Sequence, residues 1–351
     1  MTLVSLEALG FDDHFSARLD ALGDPSLVPA RVTAAWPQRL RLLTPSGPRD
    51  ARPPREGPPP AVGDWVALPP AEDDLPFAAA LLPRKGALVR QAAGVRTADQ
   101  VLAANLDRVF IVTAMNRDFN LRRVERTLVL VDGCGAEPVI VLNKSDLDPA
   151  ARGRYARQLM AVAPGVPVAV TSALHDDTLG ELEAWLGRGL TVALIGSSGV
   201  GKSTLVNRLL GDEIQDTGGI RGGDDRGRHT TTHRELFVLP GDRGVLIDTP
   251  GVRELQLTGA EDLSSVFGDL EALAERCQFR DCGHEGEPGC AIEVAVEAGE
   301  VDPARVVSWQ KLQREQERQL GRRAAWETRQ EHRRFSRMAR EAQADRKRRR
   351  R

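Results

Sequence analysis

The sequence predicts a multidomain chain: a small β-barrel or sandwich, a central α/β domain with a parallel sheet, and a mainly helical C-terminal region. Residues 28–90 hold short alternating apolar runs broken by prolines, a pattern typical of small all-β folds. Residues 107–248 alternate buried-type strands with helices, which favours a parallel sheet covered on both faces. A Cys/His cluster at 277–290 interrupts an otherwise helical remainder.

The composition limits the classes of function. A chain of 351 residues is too long for one ordinary core and suits two or three domains. It has no apolar run of about eighteen residues, and residues 1–13 lack a basic segment before an apolar one, so we expect neither a membrane span nor a signal peptide. Four cysteines do not make a disulfide scaffold; they indicate a cytoplasmic protein in which clustered cysteines bind metal.

The charge is unevenly distributed. Residues 311–351 hold 16 Lys or Arg against 6 Asp or Glu, whereas the other 310 residues hold 32 basic and 44 acidic groups. A basic tail of net charge +10 on an acidic body of −12 suggests a polyanionic partner at one end. A solvated helix with a disordered end is equally compatible with this pattern.

The central domain shows its elements in order. We expect strands over 108–112, 139–142, 166–170, 191–195 and 244–248. Asn120 is placed to cap a helix over 121–132, and a second helix follows the fourth strand and runs to Leu210. The glycine-rich, charged stretch 216–228 predicts a flexible loop.

The strongest motif is a phosphate-binding loop after the fourth strand. It consists of Gly196, Ser197, Ser198, Gly199, Val200, Gly201, Lys202, Ser203 and Thr204. Its glycines let backbone N–H groups turn toward phosphate oxygens at a helix N-terminus. We expect Lys202 to act in catalysis by bridging the β- and γ-phosphates, and Ser203 to bind Mg²⁺.

A second motif selects the base. Asn143, Lys144, Ser145 and Asp146 end a strand and resemble the N-K-x-D box of GTPases, whose aspartate accepts from guanine N1–H and the exocyclic amine. Ser172 and Ala173 follow the next strand and resemble the companion box, whose backbone N–H contacts the guanine oxygen.

The second switch is predicted at the end of the fifth strand. Asp248 and Gly251 fit the D-x-x-G box, with Asp248 reaching Mg²⁺ through water and Gly251 meeting the γ-phosphate. Thr231 is the expected magnesium-binding switch threonine, although Thr230 and Thr232 adjoin it.

Val252 stands where Ras-like enzymes carry a water-orienting glutamine. We nominate His229 for that catalytic role and His233 second; an exposed loop histidine is an equally good interpretation of each.

The order of the boxes is unusual. In an ordinary GTPase the P-loop comes first, but here both guanine boxes precede it. The chain therefore resembles a circularly permuted GTPase, an arrangement that new termini in surface loops permit.

A metal site is predicted after the second switch. Cys277, Cys282, His284 and Cys290 form a Cys₃His set that suits one tetrahedral structural zinc ion. Free cysteines in a small helical domain are the alternative. Cys134 stands apart and is expected in a core.

Taken together, these motifs resemble the bacterial RsgA family, also called YjeQ. The resemblance extends to 63–66, 103–107, 118–123 and 227–232. It implies an OB-fold barrel over 1–92, a circularly permuted GTPase domain over 93–262, and a helical zinc-binding domain with a basic tail over 263–351. It also implies hydrolysis of GTP to GDP, stimulated by the small ribosomal subunit and its rRNA during late maturation. We expect a monomer in the cytoplasm.

Two other functions fit part of the sequence. A P-loop kinase or ATPase of metabolism would share the phosphate loop, but 143–146 argues against it. A non-enzymatic RNA-binding zinc protein would share the barrel and the cysteines, but the intact Lys202, Ser203 and Asp248 argue against that.

Overall fold

The computed structural model describes residues 4–70, 75–91, 99–175, 178–211, 234–249 and 257–348, without the side chains of 91, 327 and 330–348. Its contacts divide the chain into two compact units. The first unit comprises Met1–Val89 and Val101–Leu255, and the second comprises Arg90–Gln100 and Gln256–Arg351.

The first unit begins with a helix and a five-stranded antiparallel sheet. The helix is α1 (Asp13–Asp20), and the strands are β1 (Val28–Trp36), β2 (Arg39–Thr44), β3 (Gly47–Ala51), β4 (Trp65–Leu68) and β5 (Ala80–Leu81). Their order is β3-β2-β1-β4-β5. A parallel bridge between Arg52 and Phe77 joins the two edges, with Arg52 N–H donating to Pro76 O at 2.7 Å. The sheet therefore closes into a barrel, as the sequence predicted.

Alternation in the strands fills this barrel. In β2 every second residue is buried, so that Leu40 and Leu42 point inward while Arg39 is exposed. They pack with Ala30, Val32, Val66 and Leu68.

The central sheet of the first unit has six strands. They are β8 (Arg108–Ala114), β9 (Glu137–Asn143), β10 (Val168–Val170), β11 (Thr191–Gly196), β12 (Glu235–Val238) and β13 (Val245–Asp248), in the order β10-β9-β8-β11-β13-β12. All five strands predicted from the sequence are present and parallel. A sixth strand, β12, which the sequence did not predict, adds an antiparallel edge to this parallel sheet. Its connection to β13 is too short for a crossover, so the two strands must run in opposite directions.

Helices α2 (Leu121–Asp132), α3 (Arg152–Val162), α4 (Gly180–Glu183) and α5 (Lys202–Leu210) complete the α/β part. The predicted cap of α2 is confirmed, since Asn120 Oδ1 accepts from Arg123 N–H at 3.2 Å. Two further strands, β6 (Ala87–Gln91) and β7 (Asp99–Ala104), pair with each other; the sequence did not predict this sheet. The predicted glycine-rich loop at 216–228 lies outside the described residues.

A buried arginine links the barrel to the central sheet. Arg31, on β1, is 1% exposed. Its guanidinium donates to Leu9 O at 3.1 Å and to Thr191 Oγ1 at 3.0 Å, and lies over the Trp65 ring. Burial lowers the pKa of Arg31 to about 10, partly offset by the charge of Asp107. Because Thr191 opens β11, the barrel is fastened to the strand that leads into the predicted phosphate loop.

The second unit is helical, with α6 (Ser264–Ala274), α7 (Ala291–Glu297) and α8 (Pro303–Arg348). The predicted helical segment from Val306 onward is confirmed as part of α8, which has 46 residues and is about 69 Å long at 1.5 Å per residue. Its first turns are buried through Val306, Trp309 and Leu312, and Gln319 is buried further along. Among the described residues, no helix combines the length and apolar character that crossing a membrane requires.

The segment 257–261, which follows the second predicted switch, is fastened to α8. Glu315 accepts from Leu257 N–H at 3.1 Å, and Gln316 Nε2 donates to Glu261 O. Gly259 has φ +93° and lies against α8 so closely that a Cβ would stand 3.3 Å from Gln319 Cβ.

We predict that Arg31→Met lowers the free energy of unfolding by about 3 kcal/mol, since it leaves buried acceptors without a donor. Arg39→Met is the control: its pair with Asp50 is exposed, so its loss should change the free energy of unfolding far less. Urea unfolding followed by tryptophan fluorescence measures both. Equal stability of the two variants would contradict the role of Arg31.

Candidate nucleotide site and metal centre

The predicted nucleotide-binding loops meet at one edge of the central sheet. The parallel register pairs Ala114 with Asn143, Val112 with Gly196, and Leu194 with Asp248. The loops that leave these strands therefore emerge side by side at their carboxyl ends, where open α/β sheets bind ligands.

The phosphate loop is shaped by its glycines. Gly199 has φ +85° and Gly201 has φ +98°, a region that residues with a side chain rarely adopt. Gly201 directly precedes α5, so the N–H groups of the first helical turn face the loop. The side chains of Ser198, Ser203 and Thr204 are exposed at this edge. This geometry suits an anion at the helix N-terminus.

Lys202 lies inside the loop. Its Nζ donates to Gly196 O at 2.8 Å and to Ser197 O at 2.9 Å. Burial lowers the pKa of Lys202, and burial raises the pKa of Asp248; each charge partly offsets the shift of the other. The structure thus brings the predicted phosphate lysine and the predicted magnesium aspartate into one electrostatic site.

Asn143 joins the phosphate loop to the guanine boxes. Its Nδ2 donates to Val200 O at 2.8 Å, and its Oδ1 accepts from Ala173 N–H at 3.0 Å. A side chain at Gly201 would overlap this amide. The buried asparagine therefore fixes the relative positions of three separate loops.

Lys144 reaches the phosphate loop from the same side. Its backbone has φ +60°, which costs on the order of 1 kcal/mol in a residue other than glycine. Its Nζ donates to Gly199 O at 2.6 Å. The lysine stem therefore spans from the guanine box to the phosphate loop.

Asp146 is held by the companion box. Ser172 Oγ donates to Asp146 Oδ1 at 2.5 Å, and this hydrogen bond lowers the pKa of Asp146. The carboxylate is thus kept ionised, as recognition of two N–H donors requires. Ser172 N–H donates to Thr178 Oγ1 at 2.8 Å, and Ala173 N–H donates to Asn143. A guanine contact from these two N–H groups stays a prediction. Ser145 is buried behind them, its N–H donating to Thr171 O at 3.0 Å.

Five predicted switch residues lie outside the described residues: Thr231, His229, His233, Gly251 and Val252. Thr249, between the described Asp248 and this gap, is buried and donates from Oγ1 to Leu194 O.

The four predicted metal ligands come together in the second unit. The Sγ atoms of Cys277, Cys282 and Cys290 and a ring nitrogen of His284 all lie within 4.8 Å of one another. Cys277 Sγ is 3.6 Å from His284 Nδ1 and 4.0 Å from Cys290 Sγ, and His284 Nδ1 is 3.4 Å from Cys290 Sγ. A tetrahedral zinc ion requires separations of about 3.5–3.8 Å between such ligands. The cluster could therefore hold one zinc ion.

Helix α8 supports the ligand loop. Gln310 Nε2 donates to Gly283 O at 3.0 Å and to His284 O at 3.2 Å, and Trp309 lies 5.5 Å from the His284 ring. His284 has φ +57°. Cys134 is buried elsewhere, as predicted, and burial raises the pKa of its thiol.

Sequence reasoning missed the supporting contacts. The residue type and spacing indicated Asp146 and His284. The companion box named Ser172 for its backbone N–H, but nothing indicated that its hydroxyl holds Asp146 or that the Gln310 amide supports the ligand loop. The signal available was their position in the sequence: Ser172 lies two residues after the strand beside the guanine box, and Gln310 lies on a helix with an apolar face.

Comparisons with known proteins agree with this geometry. A family model described as RsgA GTPase matches residues 81–258. A protein of Opitutus terrae named "Small ribosomal subunit biogenesis GTPase RsgA" is 45% identical over 332 residues, which cover 89% of this chain and 90% of that protein. "Small ribosomal subunit biogenesis GTPase RsgA 2" of Vibrio parahaemolyticus is 44% identical over 320 residues, or 90% and 88% of the two chains.

Solved structures have the same fold. YjeQ from Thermotoga maritima is 26% identical, with a TM-score of 0.59 over 84% of this chain and 99% of that one. YloQ, described as a circularly permuted GTPase, has a TM-score of 0.57 over 83% and 96%; at 24% identity it supports the fold alone.

We predict that the purified chain contains about one zinc ion and that Cys290→Ser loses most of it, because a three-ligand site binds the ion far more weakly. Cys134→Ser is the matched control and should keep its zinc. Elemental analysis of the metal measures all three proteins. If Cys290→Ser retained as much zinc as Cys134→Ser, the assignment would be wrong.

Proposed function

Since the chain belongs to the RsgA GTPase family and is therefore a GTP hydrolase, we propose that it binds the small ribosomal subunit and hydrolyses GTP during its late maturation. The relatives named above carry subunit biogenesis in their names. The observation that carries the proposal is the bridge made by Asn143, which holds a guanine-selective box against a phosphate loop.

Guanine selection falls to Asp146. An ionised carboxylate held by Ser172 can accept two hydrogen bonds, from N1–H and the exocyclic amine of guanine. Adenine presents no such pair of donors, so an adenine nucleotide would not form these two hydrogen bonds. This contact distinguishes the proposal from a metabolic kinase or ATPase.

Phosphate chemistry falls to the phosphate loop. The N–H groups at the start of α5 and the Lys202 ammonium would bind the β- and γ-phosphates, while Ser203, Thr231 and Asp248 would hold Mg²⁺ directly or through water. When bound, that ion neutralises charge that develops on the transferring phosphoryl group. Val252 cannot hydrogen-bond to the attacking water. His229 is therefore our candidate for orienting it, and the subunit would complete the site.

RNA binding is proposed at two places. In the barrel, Phe77 is 37% exposed and carries the guanidinium groups of Arg52 and Arg55 at 5.1 and 4.6 Å from its ring centre. Stacking aromatics beside cations suit single-stranded nucleic acid. The arginine-rich end of the chain suits phosphate contacts that weaken with salt. Trp65 is buried and is excluded from such a surface, whereas Trp36 is half-buried beside Arg41.

The remaining features of the proposal follow from the family and its partner. We place the barrel domain at 1–92, the GTPase domain at 93–262 and the zinc domain with its tail at 263–351. A monomer in the cytoplasm, where small subunits mature, is the state in which we expect the chain to act.

We predict that Asp146→Asn weakens GTP binding by roughly 100-fold or more and gains affinity for xanthosine triphosphate, because the amide presents a donor where the carboxylate accepts. Asp148→Asn is the control: Asp148 caps the following turn through Oδ1, and an amide oxygen keeps that bond. Fluorescent-nucleotide titrations measure both. An unchanged base preference in Asp146→Asn would refute the guanine assignment.

We predict that purified small subunits raise GTP turnover by roughly tenfold or more, since a partner can supply groups that the chain lacks. Phosphate release is measured with and without subunits, with large subunits as the control. Lys202→Ala should show no stimulated turnover. Turnover that small subunits leave unchanged would favour a nucleotidase outside the ribosome. A wild-type chain that binds subunits without hydrolysing GTP would favour the RNA-binding zinc protein.

A further inference from the structure

The turn between β8 and α2 is a rigid platform beside the phosphate loop. Met115 N–H donates to Asn143 O at 3.0 Å, which fastens the end of β8 to the guanine box. Asp118 N–H donates to Asn116 Oδ1 at 3.0 Å. Phe119 packs edge-on against Tyr155 of α3, with ring centres 4.6 Å apart. The start of α2 is thus fixed from both sides.

Arg123 extends from this platform to the phosphate loop. Its backbone is fixed at both ends, because its N–H donates to the Asn120 cap and its carbonyl accepts from Thr127 Oγ1 at 2.8 Å. Its Nη1 donates to Ser197 Oγ at 3.1 Å. Arg123 belongs to the stretch 118–123 that resembles the family, but the sequence assigned it no role in the site.

Ser197 connects Arg123 to Lys202, the predicted phosphate-binding lysine. The carbonyl oxygen of Ser197 accepts from Lys202 Nζ at 2.9 Å. Arg123 therefore hydrogen-bonds to the side chain of Ser197, and the backbone of Ser197 hydrogen-bonds to Lys202. On the other side of the loop, Lys144 and Asn143 bind the carbonyl groups of Gly199 and Val200. The loop is held from both flanks, and Arg123 is the anchor on the α2 flank.

We propose that Arg123 is a positioning residue for GTP binding: it fixes the phosphate loop through Ser197 so that the loop receives the β-phosphate. The inference rests on the proposed function and adds a residue to it. A charged donor to a hydroxyl is a stronger hydrogen bond than a neutral pair. Its contribution is made before the nucleotide arrives, because both partners already belong to the protein.

This role has a distinct signature. A residue that shapes the loop affects every nucleotide with a β-phosphate to the same degree, whereas a residue that touches the γ-phosphate affects GTP alone. A positioning residue also depends on its intermediary, so that removing Ser197 Oγ makes the removal of Arg123 inconsequential.

The experiment measures affinities of GDP and of a non-hydrolysable GTP analogue for the full chain, Arg123→Ala, Ser197→Ala and the double variant. We expect Arg123→Ala to weaken both nucleotides by the same factor, roughly three- to tenfold. We expect Ser197→Ala and the double variant to match it. Arg117→Ala, an exposed arginine on the same turn, is the control for lost positive charge and should bind as the wild type does. Thermal unfolding of each variant, compared with the wild type, tests whether it is folded.

Four outcomes would overturn the inference. The first is wild-type affinity in Arg123→Ala, and the second is a loss of affinity in Arg123→Ala for the GTP analogue alone. The third is a double variant that binds the nucleotides more weakly than Ser197→Ala by the full factor seen for Arg123→Ala. The fourth is a loss of affinity in Arg117→Ala as large as that in Arg123→Ala. If the wild-type chain itself bound no guanine nucleotide, the proposed function would fail instead, so the two failures are separable.

Discussion

The amide of Asn143 is the constraint on which the site depends. One side chain donates to the phosphate loop and accepts from the loop after β10, so the two halves of the candidate nucleotide site cannot move apart independently. A buried amide with both functions satisfied is costly to disturb, because either lost partner leaves a polar group unpaired. These hydrogen bonds depend on where the loops lie in the folded protein and not on the order of the loops along the chain. This explains how a permuted sequence keeps the arrangement: the strands retain their neighbours, and only the connections between them differ.

The barrel is joined to this arrangement from the opposite end of the sheet. Arg31 reaches Thr191 at the start of β11, while the phosphate loop leaves β11 at Gly196. β11 is hydrogen-bonded on both sides, and its neighbours β8 and β13 fix its register. The barrel therefore contacts β11, the strand from which the phosphate loop emerges.

Much of the fold was predictable because local signals agreed with the tertiary structure. The five parallel strands are short apolar runs of the type that a doubly covered sheet requires, and Asn120 capped its helix as expected. β12 was not predicted because four residues with mixed burial at a sheet edge show little hydrophobic pattern. The metal-ligand cluster was predictable because such a site needs particular residue types, as at Cys277; the guanine-binding role of Asp146 stays a prediction. A contact set by geometry alone was not predictable, as between Arg123 and Ser197, which are 74 positions apart.

The length of α8 has a mechanical consequence. Segment 257–261 is held against Glu315 and the turn that follows it. Some 28 residues of helix extend past Leu320, about 42 Å at 1.5 Å per residue. A helix of that reach is a lever arm with a short inner end. A swing of about 5° at the held segment would carry the far tip through roughly 4 Å. Small rotations of the held segment would thus be magnified at the far end of the helix.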